Sequence, residues 1–333
     1  MSVDLIILSG FLGSGKTTLL VDFLKQEGGS DTGVIVNEVG EIGIDGAIIA
    51  DGSDGIPMLT LANGCVCCSL RSSLVHTVGV LLDSPRPAGA PPFRRIILET
   101  SGLSKPGPII ASLADPEISA RKLRVSVVST YDCVTGSLNA ETFEEAAAQL
   151  AAAQRIVFTK VDKVDSRSLE QHLRRAAGVN PLGQIVAETD RSKAVAKAFS
   201  SMPESDPVDR ALQALRNTAR QGLAHPRVHV LAGTVQHEAS WSDVAQWLDD
   251  LAGLCGERLL RVKALVPVTD CPEPILIQSV GTTFSAPRRM AGKGKDYSAA
   301  CMVIVRDLDA EYINSVLQGA PITLAQATTQ SIL

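Results

Sequence analysis

The 333-residue chain contains no apolar run approaching the ~18 residues that a membrane-spanning helix needs; its hydrophobic stretches are short and interrupted by charges. It has no excess of positive charge either. Lys and Arg number 31 against 36 Asp and Glu, a net charge of -5, which argues against a surface built to hold nucleic acid or an anionic membrane. No basic residue precedes the first apolar run, which begins directly after Asp4, so the start lacks the layout of a secretory signal. There is no internal repeat and no low-complexity tract. These absences lead to the expectation of a cytoplasmic protein with neither nucleic-acid nor membrane partners. What is present, a 45% hydrophobic composition, excludes general disorder and supplies a sizeable core. In a reducing cytoplasm the seven cysteines read as buried residues, metal ligands or redox groups before disulfides.

From Leu5 to about Glu188, short β-rich runs alternate with helix-compatible stretches, the pattern of a parallel sheet wrapped by helices. Strands are predicted at Leu5–Leu8, Val34–Val36, Ile96–Leu98, Val125–Val128 and Ile156–Phe158, with helices at Thr17–Gln26, Leu70–Leu82, Pro108–Leu113, Ala140–Ala153 and Leu169–Ala177. The near-continuous apolar character of the strands suits burial on both faces. Ser84–Pro92 holds four prolines and reads as a loop. Past residue 190 the pattern changes. A polar stretch, Arg191–Gln221, precedes apolar runs at Arg227–Leu231, Leu259–Val266, Pro274–Val280 and Cys301–Val305, flanked by helical segments Ser242–Leu251 and Ala310–Leu317. The expected organisation is α/β: a P-loop NTPase domain with a mostly parallel sheet at 1–221, and a smaller carboxy-terminal α+β domain at 222–333. Residues from Ala320 onward show little periodicity and read as a loose tail.

Directly after the first strand stands Gly10-Phe11-Leu12-Gly13-Ser14-Gly15-Lys16-Thr17-Thr18, a G-x-x-x-x-G-K-[ST] element in its strand-to-helix setting. Glycines let the backbone turn its N–H groups onto phosphate oxygens, and the following helix adds the positive end of its dipole. Lys16 is expected on the β- and γ-phosphates and the Thr17 hydroxyl on magnesium, with Gly13, Ser14, Gly15 and Thr18 completing the cradle. Thr159-Lys160-Val161-Asp162, after the fifth strand, is similar to the N-K-x-D element that reads guanine. The Asp162 carboxylate can accept hydrogen bonds from N1 and the exocyclic amine, a pair that adenine does not offer. Between these elements lies Ile96-Ile97-Leu98-Glu99-Thr100-Ser101-Gly102. An acid ending a central strand points into the ligand crevice of an open α/β sheet, so Glu99 is expected at magnesium and the Gly102 N–H at the γ-phosphate.

Three cysteines fall within four residues, Cys65-Val66-Cys67-Cys68, after Asn63-Gly64. Three thiolates converging on one ion suit zinc or a similar borderline metal and leave a position open for exchange; redox chemistry and plain packing are the alternatives. The segment Asn37-Glu38-Val39-Gly40-Glu41-Ile42-Gly43-Ile44-Asp45 follows the second strand. Its acids read either as solvated loop charges or as ligands, Glu41 first among them.

These elements together, the G-F-L-G-S-G-K-T-T loop, N-E-V-G-E-I-G-I-D, G-C-V-C-C, E-T-S-G-L and T-K-V-D, resemble the CobW-type GTPases, relatives of the urease and hydrogenase maturation GTPases. Arg258–Ala264 and Val305–Asp309 look like that family's carboxy-terminal domain. The resemblance implies a GTP-hydrolysing metallochaperone with GTP and Mg2+, holding Zn2+ or Co2+ at Cys65, Cys67 and Cys68, a site that the Glu41 carboxylate is placed in sequence to complete. It also implies delivery to a client metalloprotein or cofactor-biosynthesis enzyme, and the wider group's habit of dimerising admits a homodimer. Two departures stand out. Thr159 replaces the usual Asn, and the histidine-rich stretch of many members is missing, only His76, His172, His225, His229 and His237 being present. A P-loop kinase of small molecules with structural cysteines is the competing reading.

Overall fold

The computed structural model describes residues 3–27, 30–36, 57–61, 69–86, 89–201, 225–236, 238–290 and 300–327. The chain divides into two compact units, Met1–Leu169 with Gln184–Met202, and Glu170–Gly183 with Pro203–Leu333. The expected domain boundary between residues 221 and 222 lies outside the described residues.

The first unit is built on β1 (Asp4–Gly10), α1 (Lys16–Glu27), β2 (Thr32–Val36), β3 (Met58–Thr60), α2 (Ser69–Asp83), β4 (Arg95–Glu99), α3 (Pro106–Leu113), α4 (Pro116–Ala120), β5 (Arg124–Asp132), α5 (Gly136–Thr142), α6 (Glu144–Ala152) and β6 (Arg155–Thr159). It is completed by β7 (Gln184–Val186) and α8 (Arg191–Phe199); α7 (Ser166–Val179), which precedes β7, begins in this unit and falls mostly in the second. Seven strands pair in the order β3-β2-β4-β1-β5-β6-β7, every pair parallel. The apolar runs are buried as their composition requires: every residue of β2, and all of β1 after Asp4, lies inside. From α1, Leu20, Phe23 and Leu24 at helical spacing enter a core with Leu8, Val34 and Ile97, and the Phe23 ring meets Phe199 of α8 at 4.5 Å. Burying a side chain of that size contributes roughly 1.5–3 kcal/mol.

One local expectation needs correction here. Ala140–Ala153 is not one helix but the end of α5 and all of α6, separated at Phe143, whose backbone is extended (φ -104°, ψ 127°). The Phe143 ring stacks on Phe11 at 4.7 Å, a contact that an unbroken helix periodicity does not foresee. The short strands β3 and β7, three residues each, were too brief to register as apolar runs.

The second unit carries β8 (Val228–Val235), α9 (Trp241–Cys255), β9 (Leu259–Val268), β10 (Cys271–Val280), β11 (Thr283–Phe284), β12 (Arg288–Arg289), β13 (Ala300–Arg306), α10 (Ala310–Val316) and β14 (Ile322–Gln326). Its antiparallel sheet runs β11-β10-β9-β13-β8-β14, with β12 also paired to β10. Ser240 and Asp243 form a reciprocal capping box at the start of α9, whose Val244, Trp247, Leu248, Leu251 and Cys255 supply the apolar stripe of this unit's core. The segment read as a loose tail is an edge strand: β14 pairs with β8 and buries Ile322 and Leu324. Its alternation has only two strongly apolar members, so the pattern becomes visible only beside its partner.

Candidate functional site

In the first unit the carboxyl ends of four neighbouring strands bring together Gly10, Glu99, Asp132 and Thr159, the edge where ligands bind in open parallel sheets. The loop after β1 is held from below. Ser14 Oγ donates to the Phe11 carbonyl at 2.6 Å and lies 2.6 Å from Thr130 Oγ1 of β5. The Ser14 side chain is therefore an internal anchor of the loop. Gly10 has φ +139°, and a Cβ there would sit 2.1 Å from Thr130 Oγ1, so no other residue fits without displacing β5. Lys16 Nζ donates to the carbonyls of Gly10 (2.8 Å) and Phe11 (3.2 Å), both in the loop it serves.

Thr17 Oγ1 donates to Glu99 Oε1 at 2.6 Å, and the Glu99 carboxylate is 3% exposed. The structure thus joins the predicted hydroxyl and acid across 82 positions. Beyond Glu99, Thr100 N–H continues the strand register to the Leu8 carbonyl at 3.0 Å. Gly102 then packs against the loop: a Cβ on it would stand 2.7 Å from Leu12 N and 2.8 Å from Leu12 Cα.

On the other flank, Thr159 Oγ1 donates to the Ser14 carbonyl at 2.8 Å and lies 3.3 Å from the Tyr131 carbonyl. The threonine that replaces the usual asparagine thus ties its own loop to the phosphate loop. Lys160, in the left-handed region at φ +55°, donates from Nζ to the Gly13 carbonyl (3.1 Å) and to Asp132 Oδ2 (2.7 Å). Asp132 is 4% exposed and also accepts from Val134 N–H and Thr135 Oγ1. Burial pushes its carboxyl up, but the Lys160 ammonium and these two donors together hold it below the ordinary 3.8. Asp162 is largely exposed, beside Lys163 at 3.5 Å.

A cleft of about 390 Å3 opens beside this flank, lined by Gly15, Thr18, Lys160, Asp162, Glu188 and Thr189 among others. Arg191 of α8 bridges it to α1 through Asp22 at 2.6 Å. Sequence reasoning missed Asp132, Glu188, Thr189 and Arg191. Asp132 carried the same signal as Glu99, an acid ending an apolar strand; the others follow the three-residue β7, too short to be noticed.

Cys65, Cys67, Cys68 and Glu41 lie outside the described residues. Among the described residues, no group of three or more His, Cys, Asp or Glu is placed to hold a metal ion. Cys133, Cys255 and Cys301 are buried, and burial pushes their thiols up to about 12, 11 and 12. His225 is structural: its Nδ1 accepts the N–H groups of Arg227 (3.2 Å) and Val228 (2.9 Å). Arg288 and Arg289 form β12 and are exposed. No described helix is long and apolar enough to cross a membrane.

Residues 4–187 match the CobW/HypB/UreG nucleotide-binding domain, and residues 230–320 match the cobalamin synthesis protein cobW C-terminal domain. The chain is similar to the zinc chaperone YjiA of Escherichia coli (28% identical over 329 residues, 94% of this chain and 97% of that protein). It is also similar to the zinc chaperone CobW of a Sinorhizobium species (27% identical over 348 residues, 93% and 95%). The crystal structure of Zn(II)-bound YjiA GTPase from E. coli shares the fold, with a TM-score of 0.65 at 20% identity over 96% of this chain and 99% of that one.

Proposed function

The chain belongs to the CobW/HypB/UreG family, and from that premise and the site geometry we propose that it is a GTP-hydrolysing metallochaperone that carries zinc to a client protein. The observation that carries this reading is the arrangement of Lys16, Thr17 and Glu99 on one flank of the loop after β1, with Thr159, Lys160 and Asp162 on the other. The first group suits a triphosphate and the second a guanine base. Both full-length relatives are named zinc chaperones, which favours zinc over cobalt as cargo.

Within this reading the loop N–H groups and the Lys16 ammonium bind the phosphates. The Lys16 ammonium, which now donates to two carbonyls of the loop, turns its donors to phosphate oxygens, where donor and acceptor are both charged. The Thr17 hydroxyl and Glu99 carboxylate are hard oxygen donors already in contact, a set that suits magnesium. Magnesium bound there would neutralise charge developing on the β- and γ-phosphates. Gly102 faces the γ-phosphate with its N–H, and Asp162 accepts the guanine N1 and amine hydrogens. The thiolates of Cys65, Cys67 and Cys68, with the Glu41 carboxylate, are the proposed cargo ligands, a soft donor set suited to zinc.

A chaperone needs affinity that changes between loading and release. Loss of the γ-phosphate on hydrolysis removes contacts on the Glu99–Gly102 side and loosens the cargo site. By linkage, zinc must then raise GTP affinity by the factor by which GTP raises zinc affinity. Titrating zinc into the protein with GDP and with a nonhydrolysable GTP analogue tests this. Tighter binding with the analogue is expected, and equal affinities would defeat the coupling. Cys67→Ala should lose the zinc and keep the nucleotide.

A further inference from the structure

We propose that Gln149 is a positioning residue that clamps the Gly102 segment and so sets the protein's discrimination between GTP and GDP. The proposal rests on the reading above in which Gly102 meets the γ-phosphate. Helix α6 reads Glu-Glu-Ala-Ala-Ala-Gln-Leu-Ala-Ala, and among its buried residues Ala146, Ala147, Leu150, Ala151 and Ala152, Gln149 alone is polar. It is 1% exposed. Its Nε2 donates to the carbonyls of Gly102 (2.9 Å) and Ser104 (3.0 Å), 47 and 45 positions away. Because both partners only accept, the amide can face them only with its nitrogen.

Packing does not explain the residue. Its Oε1 is buried without a hydrogen-bond partner, a cost that Leu or Met of similar volume would avoid. What the amide achieves is a bridge across the two carbonyls that flank Leu103. On the opposite side Gly102 abuts Leu12 so closely that no side chain could be added, its Cβ position being 2.7 Å from Leu12 N. The turn is closed by Ser104 N–H on the Ser101 carbonyl at 3.0 Å. Gly102 is therefore gripped between the phosphate loop and α6, while the Thr17–Glu99 contact holds the start of the same segment. A donor aimed at one phosphate oxygen must be fixed before the ligand arrives, or ordering it consumes the binding energy. A GDP complex makes no demand on this segment, so the clamp acts on the triphosphate alone.

Gln149→Met keeps the volume and removes both donors. Full-length protein is titrated calorimetrically with GDP and with a nonhydrolysable GTP analogue, and its steady-state hydrolysis is measured. GDP affinity should stay within about twofold, while analogue affinity and kcat each fall about tenfold, the scale of one or two buried hydrogen bonds. An unchanged analogue-to-GDP ratio, in a variant whose parent prefers the analogue and hydrolyses GTP, overturns the role of Gln149 and leaves the proposed function standing. A parent that neither prefers the analogue nor hydrolyses GTP overturns the functional reading and the clamp with it. If Gln149→Met fails to fold, hydrogen exchange in the analogue-bound parent decides. Residues 100–104 protected like 144–152 support the clamp, and fast exchange at 100–104 beside a protected α6 refutes it.

Discussion

Lys160 offers the most direct test of how the base side of the site is built. Lys160→Met keeps the aliphatic stem and removes the ammonium, and with it the bonds to Asp132 at 2.7 Å and to the Gly13 carbonyl at 3.1 Å. Asp132 would retain Val134 N–H and Thr135 Oγ1, so its charge is weakened rather than orphaned. A charge-assisted hydrogen bond is worth about 1.5–3 kcal/mol. Lys160 is 44% exposed, which screens the pair and reduces the expected loss to about 1–2 kcal/mol. Lys160 adopts the left-handed region, which a residue with a Cβ resists, and its side chain makes two tethers from that position. Because the Lys160 tethers end on Gly13 and Asp132 and not on the Glu99–Gly102 segment assigned to the γ-phosphate, GDP and a nonhydrolysable GTP analogue should both bind about 5–30-fold more weakly, with their ratio unchanged. Titration calorimetry with both nucleotides measures this. A loss confined to the triphosphate, or no loss at all, would refute the assignment. The acid limb of stability gives a second readout. The folded pKa of Asp132 is lowered, so its contribution is complete above the ordinary 3.8 and is lost as pH falls through the folded value. Without the ammonium that shift shrinks, and denaturant curves of variant and parent should converge at low pH.

Asp162→Asn should weaken GTP binding about hundredfold, the worth of two hydrogen bonds to a charged acceptor, and improve binding of xanthosine triphosphate; a retained preference for GTP would remove Asp162 from base reading. Native protein treated with an alkylating reagent at pH 8 should leave Cys133, Cys255 and Cys301 unmodified in peptide mapping, because thiols held up at about 11 to 12 expose almost no thiolate. Rapid labelling of any of the three would contradict their burial.

The parts of the fold that were legible are those whose signal is local. A continuous apolar run such as Leu5–Leu8 declares a strand buried on both faces, and G-x-x-x-x-G-K-T declares its own loop because the backbone geometry is encoded within nine residues. The missing parts have partners far away in sequence. Phe143 breaks a helix-compatible stretch and stacks on Phe11, and the β14 edge strand needs β8 beside it. Arg155 is buried at the start of β6 because its guanidinium caps the carbonyls of Ala198 and Ser200 at 2.7 and 3.0 Å at the carboxyl end of α8; nothing near residue 155 announces that. Gln149 belongs to the same class, an ordinary helix former whose purpose lies 47 positions away. The candidate site was legible where the signal lies within one motif, as in the loop that carries Lys16 and Thr17. It was not legible where one motif supports another, as when Thr159 reaches Ser14.

The phosphate loop is held from two sides by different residues: Thr159 and Lys160 bond to the Ser14 and Gly13 carbonyls, while Gly102, gripped by Gln149, abuts Leu12. The two sides bear on different residues of the loop, Ser14 and Gly13 on one and Leu12 on the other, so their energies should add. In a Lys160→Met/Gln149→Met double variant, GDP affinity should show the Lys160 loss alone, and affinity for the GTP analogue should show the sum of both losses within about 0.5 kcal/mol. A coupling energy well above that would mean that the loop transmits strain from base to γ-phosphate as one rigid body. The measured sign would then say whether guanine binding favours or opposes the closed Gly102 segment.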